Sequence, residues 1–381
     1  MRDCQDNNKI IHIINSLGTG GAEGALFRLI KHSSNPTNHV VVTLLGGGPY
    51  KKKLENLGVS VKSYNFKSFS IVFDILSLYY FLIKNRKSII QTWLYHSDLI
   101  GGLLTRLSFN PKLIWTIRNT AVHKNSKMTK CVQYLCSVLS NCIPMAIISC
   151  SHVAKEYHAN LGYNKLIEVI PNGYDVAAFC DARKNRNKNM SKFGLSNKPF
   201  VIGCVARFDE QKDHCTLLKA FLSAIKSGNI PSDSILALAG EGIDMKNSNL
   251  VSLLSNFNLI DNVKLFGVRS DILELMSCFD VSILTSLSEA FPNVLAESMG
   301  VGVPCIATDV GDSCIIIGKN GWLSNPRDVE SITDNIIKSY SWYLNESFNN
   351  ELRNRCIDET RNRYSIETMV ESFEKVWSRF I

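Results

Sequence analysis

The run Val281-Ser282-Ile283-Leu284-Thr285, then Ser286-Leu287-Ser288-Glu289-Ala290-Phe291, then Pro292-Asn293-Val294-Leu295-Ala296-Glu297-Ser298-Met299, then Gly300-Val301-Gly302-Val303, then Pro304-Cys305-Ile306-Ala307-Thr308 decides the fold. Two short apolar runs flank a segment of helical spacing, which predicts a strand, a crossover helix and a parallel strand. Pro292 suits the first helical turn, where its fixed φ fits and its missing N–H is not needed. Gly300 and Gly302 are expected to stop the helix before the second strand.

Working outward, the same alternation continues on both sides. Upstream lie the strands Phe200–Val205, Ser234–Ala239 and Val263–Phe266, with a helix over Thr216–Ile225. Far upstream the pattern starts again: strand Lys9–Ile14, helix Glu23–Lys31, strand His39–Leu45, then strands Leu113–Ile117 and Ala146–Cys150. Ile71–Ile83 is apolar but holds Asp74 and serines, so it reads as a packed helix rather than a membrane span. Asp181–Pro199 carries six basic residues, four asparagines and few large apolar side chains, and reads as a linker between domains. A chain of 381 residues exceeds one ordinary core and suits two. The expected layout is a domain at 1–180, a linker at 181–199, a domain at 200–364 and a C-terminal helix at 365–381. Met369, Val370, Phe373, Val376 and Trp377 give that helix one apolar face, which is expected to pack back toward the N-terminal domain.

Composition removes whole classes. Hydrophobic residues at 45% and charged residues at 20% exclude disorder and low-complexity folds. Met1-Arg2-Asp3-Cys4-Gln5-Asp6 does not read as a signal peptide, and the uncharged run Leu135–Ser151 is interrupted by Asn141 and Pro144. The 12 cysteines include no Cys-x-x-Cys pair. Cys142, Cys150, Cys204 and Cys305 sit in apolar surroundings and read as buried reduced thiols of a cytosolic protein, not as zinc ligands or disulfides. Charge is uneven: residues 1–198 net +16 and residues 199–381 net −8. A basic half beside an acidic one points to an anionic partner for the first half, although a solvated basic surface also fits.

The chemistry collects at the ends of strands. The amides of Asn293 and Val294 open a helix and form an anion site suited to phosphate. Glu289 precedes the site and Glu297 lies one turn in, so two carboxylates flank it. A capped surface helix with two solvated glutamates fits the same spacing. Arg207 follows the strand Phe200–Val205, and Lys212 precedes a helix capped by Asp213. In open parallel sheets ligands bind at strand carboxyl ends, so Arg207, Lys212 and the helix amides together suit a diphosphate. A surface pair answering Asp209, Glu210 and Asp213 is the alternative. Between the first strand and helix, Asn15-Ser16-Leu17-Gly18-Thr19-Gly20-Gly21 allows close approach to a ligand. The second strand ends in Gly46-Gly47-Gly48 with no acidic residue for a ribose, which disfavours a nicotinamide dehydrogenase. His96 and Asp98 follow another strand, and Arg118, Asn119 and His123 follow Leu113–Ile117; each can face a site or serve the core. No Asp-x-Asp occurs, and no metal or other cofactor is expected, Arg207 and Lys212 supplying the positive charge.

At this point the residues resemble the retaining glycosyltransferases of family 4, whose GT-B fold sets two doubly wound Rossmann-like domains about a cleft. Glu289-x7-Glu297 within Glu-Ala-Phe-Pro-Asn-Val-Leu-Ala-Glu-Ser-Met-Gly is similar to that family's central motif, the Arg207/Lys212 pair matches in type and spacing, and Ile170-Pro171-Asn172-Gly173-Tyr174-Asp175 with Phe179 resembles its stretch before the linker. The resemblance implies that Arg207 and Lys212 hold a donor diphosphate. It implies that Glu289 and the backbone of Phe291, Pro292, Asn293 and Val294 hold the sugar and distal phosphate, and that Glu297 binds the ribose. Gly20 and Gly21 would close over the phosphates; Gly240, Glu241 and the Val268–Arg269 backbone would meet the base. The family's usual histidine after the strand Leu113–Ile117 is replaced by Asn119, so Asn119, His96 or His123 takes the sugar-contacting role.

The segment Gln91–Asn119 is similar to bacterial enzymes of O-antigen, lipopolysaccharide and capsule synthesis, which extend lipid-diphosphate-linked glycans at the inner face of the cytoplasmic membrane. The implied reaction is retaining transfer from a nucleotide-diphospho-sugar, by family usage a UDP-sugar, to such a glycan. A catalytic set of Glu289, Arg207 and Lys212 is expected, with Arg207, Lys212 and the helix amides neutralising the leaving diphosphate and neither glutamate acting as nucleophile. Domain closure would assemble the site. Lys51, Lys52, Lys53, Lys62, Lys67, Lys84, Arg86 and Lys87 would touch anionic lipid. A nucleotide-sugar epimerase or a silent binding subunit is the alternative. Nucleic acid is not an expected partner, because basic and aromatic residues do not interleave.

Overall fold

A computed structural model describes residues 9–120, 127–163 and 166–381. The chain forms two compact units, Met1–Gly173 with Ile366–Ile381, and Tyr174–Ser365.

The first unit is a seven-stranded parallel sheet of β1 (Ile10–Ile14), β2 (His39–Thr43), β3 (Ser60–Ser63), β4 (Ile89–Trp93), β5 (Leu113–Ile117), β6 (Ala146–Ser149) and β7 (Ile167–Val169). Their spatial order is β3-β2-β1-β4-β5-β6-β7. β1, β2, β4, β5 and β6 are buried along their whole length, as expected of parallel strands covered on both faces. β3 is a short, mostly exposed Ser-Val-Lys-Ser edge, without the apolar run that marks the others.

The helix Ile366–Ser378 completes this unit. Phe373 and Trp377 are buried in one cluster with Leu29, Ile30 and Trp93. The Trp377 indole N–H donates to Gln91 Oε1 at 2.8 Å, and Arg379 pairs with Glu168. Each large side chain so buried contributes about 1.5–3 kcal/mol.

The second unit is a six-stranded parallel sheet of β8 (Val201–Val205), β9 (Ile235–Ala239), β10 (Val263–Leu265), β11 (Val281–Leu284), β12 (Cys305–Thr308) and β13 (Gly321–Ser324), in the order β10-β9-β8-β11-β12-β13. The order reverses between β8 and β11 here, and between β1 and β4 in the first unit. At such switch points the connections leave the sheet in opposite directions, and the loops open a crevice at the strand carboxyl ends.

Several expectations are corrected. Asp181–Pro199 is not a linker. It holds the end of the helix Val176–Lys184 and all of Arg186–Lys192, packed within the second unit. Asp175 caps the first of these helices by accepting the Ala177 and Ala178 amides. Asn189 donates to Ser277 Oγ at 3.0 Å, Arg186 pairs with Asp280 at 2.7 Å, and Met190, Phe193 and Leu195 are buried. A few anchors suffice to pack a stretch that composition marks as polar. The unit boundary therefore falls after Gly173, and the charge split narrows to +11 for the first unit and −3 for the second.

The helix after β11 begins at Asn293, with Pro292 at its cap in extended conformation. Gly300 is its last residue rather than a stop; a Cβ there would lie 2.2 Å from the Phe179 ring, so the glycine admits that ring. Cys142 is exposed, not buried. The helix Ile71–Lys84 forms, but only Leu78 and Leu82 are buried, so it is packed along a narrow stripe.

Candidate active site

Four charged residues of the second unit, Arg207, Asp209, Lys212 and Glu289, lie in the loops that leave the carboxyl ends of β8 and β11. After β8, Asp209 accepts the Gln211 amide at 2.9 Å and starts the short 3-10 turn Glu210–Lys212. Asp213 follows with φ +47° and caps the helix His214–Lys226 through the Thr216 amide and hydroxyl. After β11, Thr285 donates its hydroxyl to the Lys212 and Asp213 carbonyls at 3.0 and 3.2 Å, and the Leu287 amide donates to the Gln211 carbonyl at 2.7 Å. These bonds join the two loops across the switch point.

The join brings Lys212 and Glu289 together. Lys212 Nζ donates to Glu289 Oε1, and the Ser286 hydroxyl donates to the same oxygen at 2.7 Å. Both partners are mostly covered, at 20% and 13% side-chain exposure, so solvent screens the pair less than a surface pair. Arg207 is more open at 55%, with its Nε 3.4 Å from Asp209 Oδ2. The cations expected to act together on a diphosphate are thus already partnered by carboxylates. An anionic ligand here shares Lys212 with Glu289.

The loop carrying Glu289 is held from below. Gly311 has φ +58°, and a Cβ there would lie 2.6 Å from the Glu289 carbonyl oxygen. Any other residue would displace the loop. The Asp312 amide donates to the Ala290 carbonyl at 3.0 Å. Phe291 is buried against Tyr364, so only its backbone can serve a ligand. Pro292 offers no side-chain acceptor, and the first turn from Asn293 has no side-chain cap. The Tyr174 hydroxyl donates to Asn293 Oδ1 and orients that side chain. Val294 and Glu297 are half-buried in the same helix.

Glu241 is exposed beside Gly240, and its carbonyl accepts the Phe208 amide at 2.7 Å, which ties the end of β9 to the Arg207 loop. Val268 is exposed. The Arg269 side chain is occupied by a two-bond pair with Asp271, at 2.6 and 2.8 Å, and holds that carboxyl well below its ordinary range. His214 is buried against Phe208, and neither ring nitrogen has a hydrogen-bond partner among the described residues. Burial, then the Lys212 charge, lower its pKa to about 4, which keeps the ring neutral beside the cation.

The first unit presents a different set at its switch point. Gly20 and Gly21 are exposed at the start of the helix Gly21–His32, just after β1. The Ser97 hydroxyl donates to Asn15 Oδ1 at 2.8 Å and ties this loop to the end of β4. Leu94, at φ +74°, turns the chain there, and His96 is half-buried, with burial lowering its pKa. Asp98 is not presented to a ligand. It is fully buried, accepts the Thr92 hydroxyl, and burial drives its carboxyl well above the usual range. Asn119 is half-buried, and its Oδ1 has no hydrogen-bond partner among the described residues. His123 lies outside the described residues.

Sequence reasoning gave no role to Ser286, Thr285, Tyr174 and Gly311, which position the named residues. Gly311 left a local signal, a glycine in a loop just past a strand, and Tyr174 stood in the motif before the expected linker.

With this geometry in place, the chain was compared with known proteins. Residues 19–178 match the model described as Glycosyltransferase Family 4, and residues 199–341 match that described as Glycosyl transferases group 1. The chain belongs to this family and is a glycosyltransferase. Among curated relatives, the UDP-Gal:alpha-D-GlcNAc-diphosphoundecaprenol alpha-1,3-galactosyltransferase of Escherichia coli is 25% identical over 80% of this chain and 78% of its own. The capsular polysaccharide biosynthesis glycosyltransferase CapM of Staphylococcus aureus is 24% identical over 82% of each. Among solved structures, Anabaena HepE in complex with UDP superposes with a TM-score of 0.85 at 20% identity, covering 97% of this chain and 100% of that one. The two sheets are those of the GT-B fold.

Proposed function

We propose that this glycosyltransferase moves a sugar from a UDP-sugar to a lipid-diphosphate-linked glycan during synthesis of a bacterial surface polysaccharide, with retention at the anomeric carbon and at the inner face of the cytoplasmic membrane. The observation that carries the reading is the cluster of Arg207, Lys212 and Glu289 at the β8/β11 switch point, beside a helix start without a side-chain cap. The names of the Escherichia coli and Anabaena proteins support the choice of uridine, and the first also supports the acceptor class.

In this mechanism the bond from the anomeric carbon to the diphosphate oxygen breaks as the bond to the acceptor hydroxyl forms on the same face. The proton of that hydroxyl passes to the departing diphosphate. Arg207, Lys212 and the first amides of the helix Asn293–Gly300 meet the negative charge as it develops, which is where stabilisation lowers the barrier. Glu289 sets the position of Lys212 and binds sugar hydroxyls, while Glu297 takes the ribose. Of the residues named for the sugar, Asn119 has the strongest claim, because its buried oxygen has no hydrogen-bond partner among the described residues. No metal is required in this scheme, so chelation by EDTA should leave turnover unchanged.

The test is a panel of UDP-sugars offered with a polyprenyl-diphosphate-linked sugar, followed by UDP release and the anomeric configuration of the product. Acceptor-dependent release with a retained configuration is expected. Release or epimerisation at the same rate without acceptor, or an inverted product, would sink the proposal.

A further inference from the structure

The helix Ile71–Lys84 has its apolar face turned outward. Phe73 is 77% exposed, Leu76 57% and Tyr80 59%, at helical positions that share one face. Val72 and Ile83 extend the row, and Phe69 stands fully exposed just before the helix. Exposed Leu107 and Phe109 continue the surface from the neighbouring helix, to which Tyr79 is tied by a 3.3 Å bond from its hydroxyl to the Leu107 carbonyl. A contiguous surface of this kind on a folded unit marks a contact that the unit does not make with itself.

Basic residues flank it. Lys67 precedes the helix, Lys84 ends it, Arg86 and Lys87 follow within three residues, and Lys62 meets it at Phe81. Lys84 Nζ sits 4.5 Å from the Tyr80 ring centre and Lys62 Nζ 5.0 Å from that of Phe81, so both cations lie against the aromatic surface. The only carboxylate on the helix, Asp74, faces its own N-terminus, where it accepts the Asn65 amide at 3.2 Å and the Ser70 hydroxyl at 3.4 Å. A second copy of the chain seated symmetrically on this face would bring lysine against lysine. An anionic surface with an apolar layer beneath it satisfies both features. The helix, at 14 residues, is about 21 Å long and too short to cross a hydrocarbon core of about 30 Å. Its geometry is that of a helix lying in the plane of the interface.

We infer that the helix Ile71–Lys84 docks this glycosyltransferase on an anionic lipid bilayer, with Phe73, Leu76 and Tyr80 entering the headgroup–acyl boundary and the surrounding lysines meeting lipid phosphates. The inference deepens the membrane partner in the proposed function and rests on that reading for its purpose. It goes further by assigning attachment to insertion of an apolar face as well as to charge.

The test is co-sedimentation of the full chain with vesicles of phosphatidylcholine and phosphatidylglycerol, and of phosphatidylcholine alone. Wild type should partition onto the anionic vesicles and much less onto the neutral ones. Phe73→Ser with Leu76→Ser should lower partitioning about tenfold or more. At about 1 M salt, where charge acts over only about 3 Å, wild type should retain binding that this variant lacks. Tyr80→Ser should give a smaller loss of the same kind. Partitioning that is unchanged in the double variant, absent in wild type or equal on neutral vesicles would overturn the inference. So would a dimer seen by light scattering in wild type and lost in the double variant. The UDP-induced rise in melting temperature, measured on the same samples, should be the same in all of them. Its loss throughout would count against the donor assignment and leave the docking face standing.

Discussion

The two units share a strand order and a switch point, yet place different chemistry there. At the ends of β8 and β11, Arg207 pairs with Asp209 and Lys212 with Glu289, the second pair being held by Ser286 on the glutamate and Thr285 on the Lys212 carbonyl. At the ends of β1 and β4 the first unit has exposed glycines, the Asn15–Ser97 link and a half-buried His96, while Asp98 is withdrawn into the interior. The topology supplies a crevice twice, and the loop residues decide what each can hold. One crevice is built for charge. The other is built for shape, and its unit carries its charge and an apolar face on the outside.

The comparison can be broken most severely at Asp280, which immediately precedes β11 at the end remote from the site. Its buried carboxylate pairs with Arg186 at 2.7 Å, lies 3.8 Å from Arg353 and accepts the Val201 amide. Asp280→Ala leaves two guanidiniums without that partner and should cost about 3–5 kcal/mol. A fall in melting temperature of roughly 10 °C is expected, confined to the second unit, when unfolding is followed by probes in each. Simultaneous loss of both units would show that they fold as one.

Glu289→Gln should lower turnover by about 10²–10³-fold. UDP should bind as well or more tightly, because Lys212 loses its anionic competitor. Calorimetry with UDP separates the two effects, and weaker binding would mean that Glu289 organises the site more than it competes for it.

Acid should act first on the other unit. His12, His39 and His158 are buried there as neutral rings. The Trp93 indole donates to His12 Nδ1 at 3.2 Å, so His12 donates from Nε2 to His39 Nδ1 at 2.9 Å, and a proton added to either ring breaks this order. Burial lowers His39 and His158 to about 4 and His12 well below its ordinary value. Folded-state values below those of the unfolded chain mean that stability is whole above pH 6.5. It is lost as pH falls toward 4, while the unfolded chain takes up protons that the folded one refuses. Each histidine contributes a slope of about 1.4 kcal/mol per pH unit. Denaturant melts at pH 7 and pH 5 should therefore show the larger loss in the first unit, which has three such rings against His214 in the second. His96→Ala should have the smallest effect, about tenfold on kcat/KM with UDP affinity unchanged.

The alternation of apolar runs made most strands legible, since continuous burial writes Ile-Ile-His-Ile-Ile and Val-Ser-Ile-Leu into the chain. It could not reveal β3, whose residues face solvent. Composition misread 181–199, because buried Asn189 and half-buried Arg186 are held by hydrogen bonds to residues 88 and 94 positions away. The same distance in sequence hid the Lys212–Glu289 pair: spacing placed each near a strand end but gave no sign that they touch. For Ile71–Lys84 the helix was legible and its exposure was not, since periodicity marks an apolar face without saying what covers it.

The most direct test is the rise in melting temperature caused by UDP in wild type and in Lys212→Ala, with uridine as the control. At a UDP concentration about 100 times its dissociation constant, wild type should gain about 2.7 kcal/mol, a rise of several degrees. Uridine should give little of this, and Lys212→Ala should lose most of it. An equal rise in Lys212→Ala, or none in wild type, would contradict the assignment of the donor diphosphate to the β8/β11 crevice.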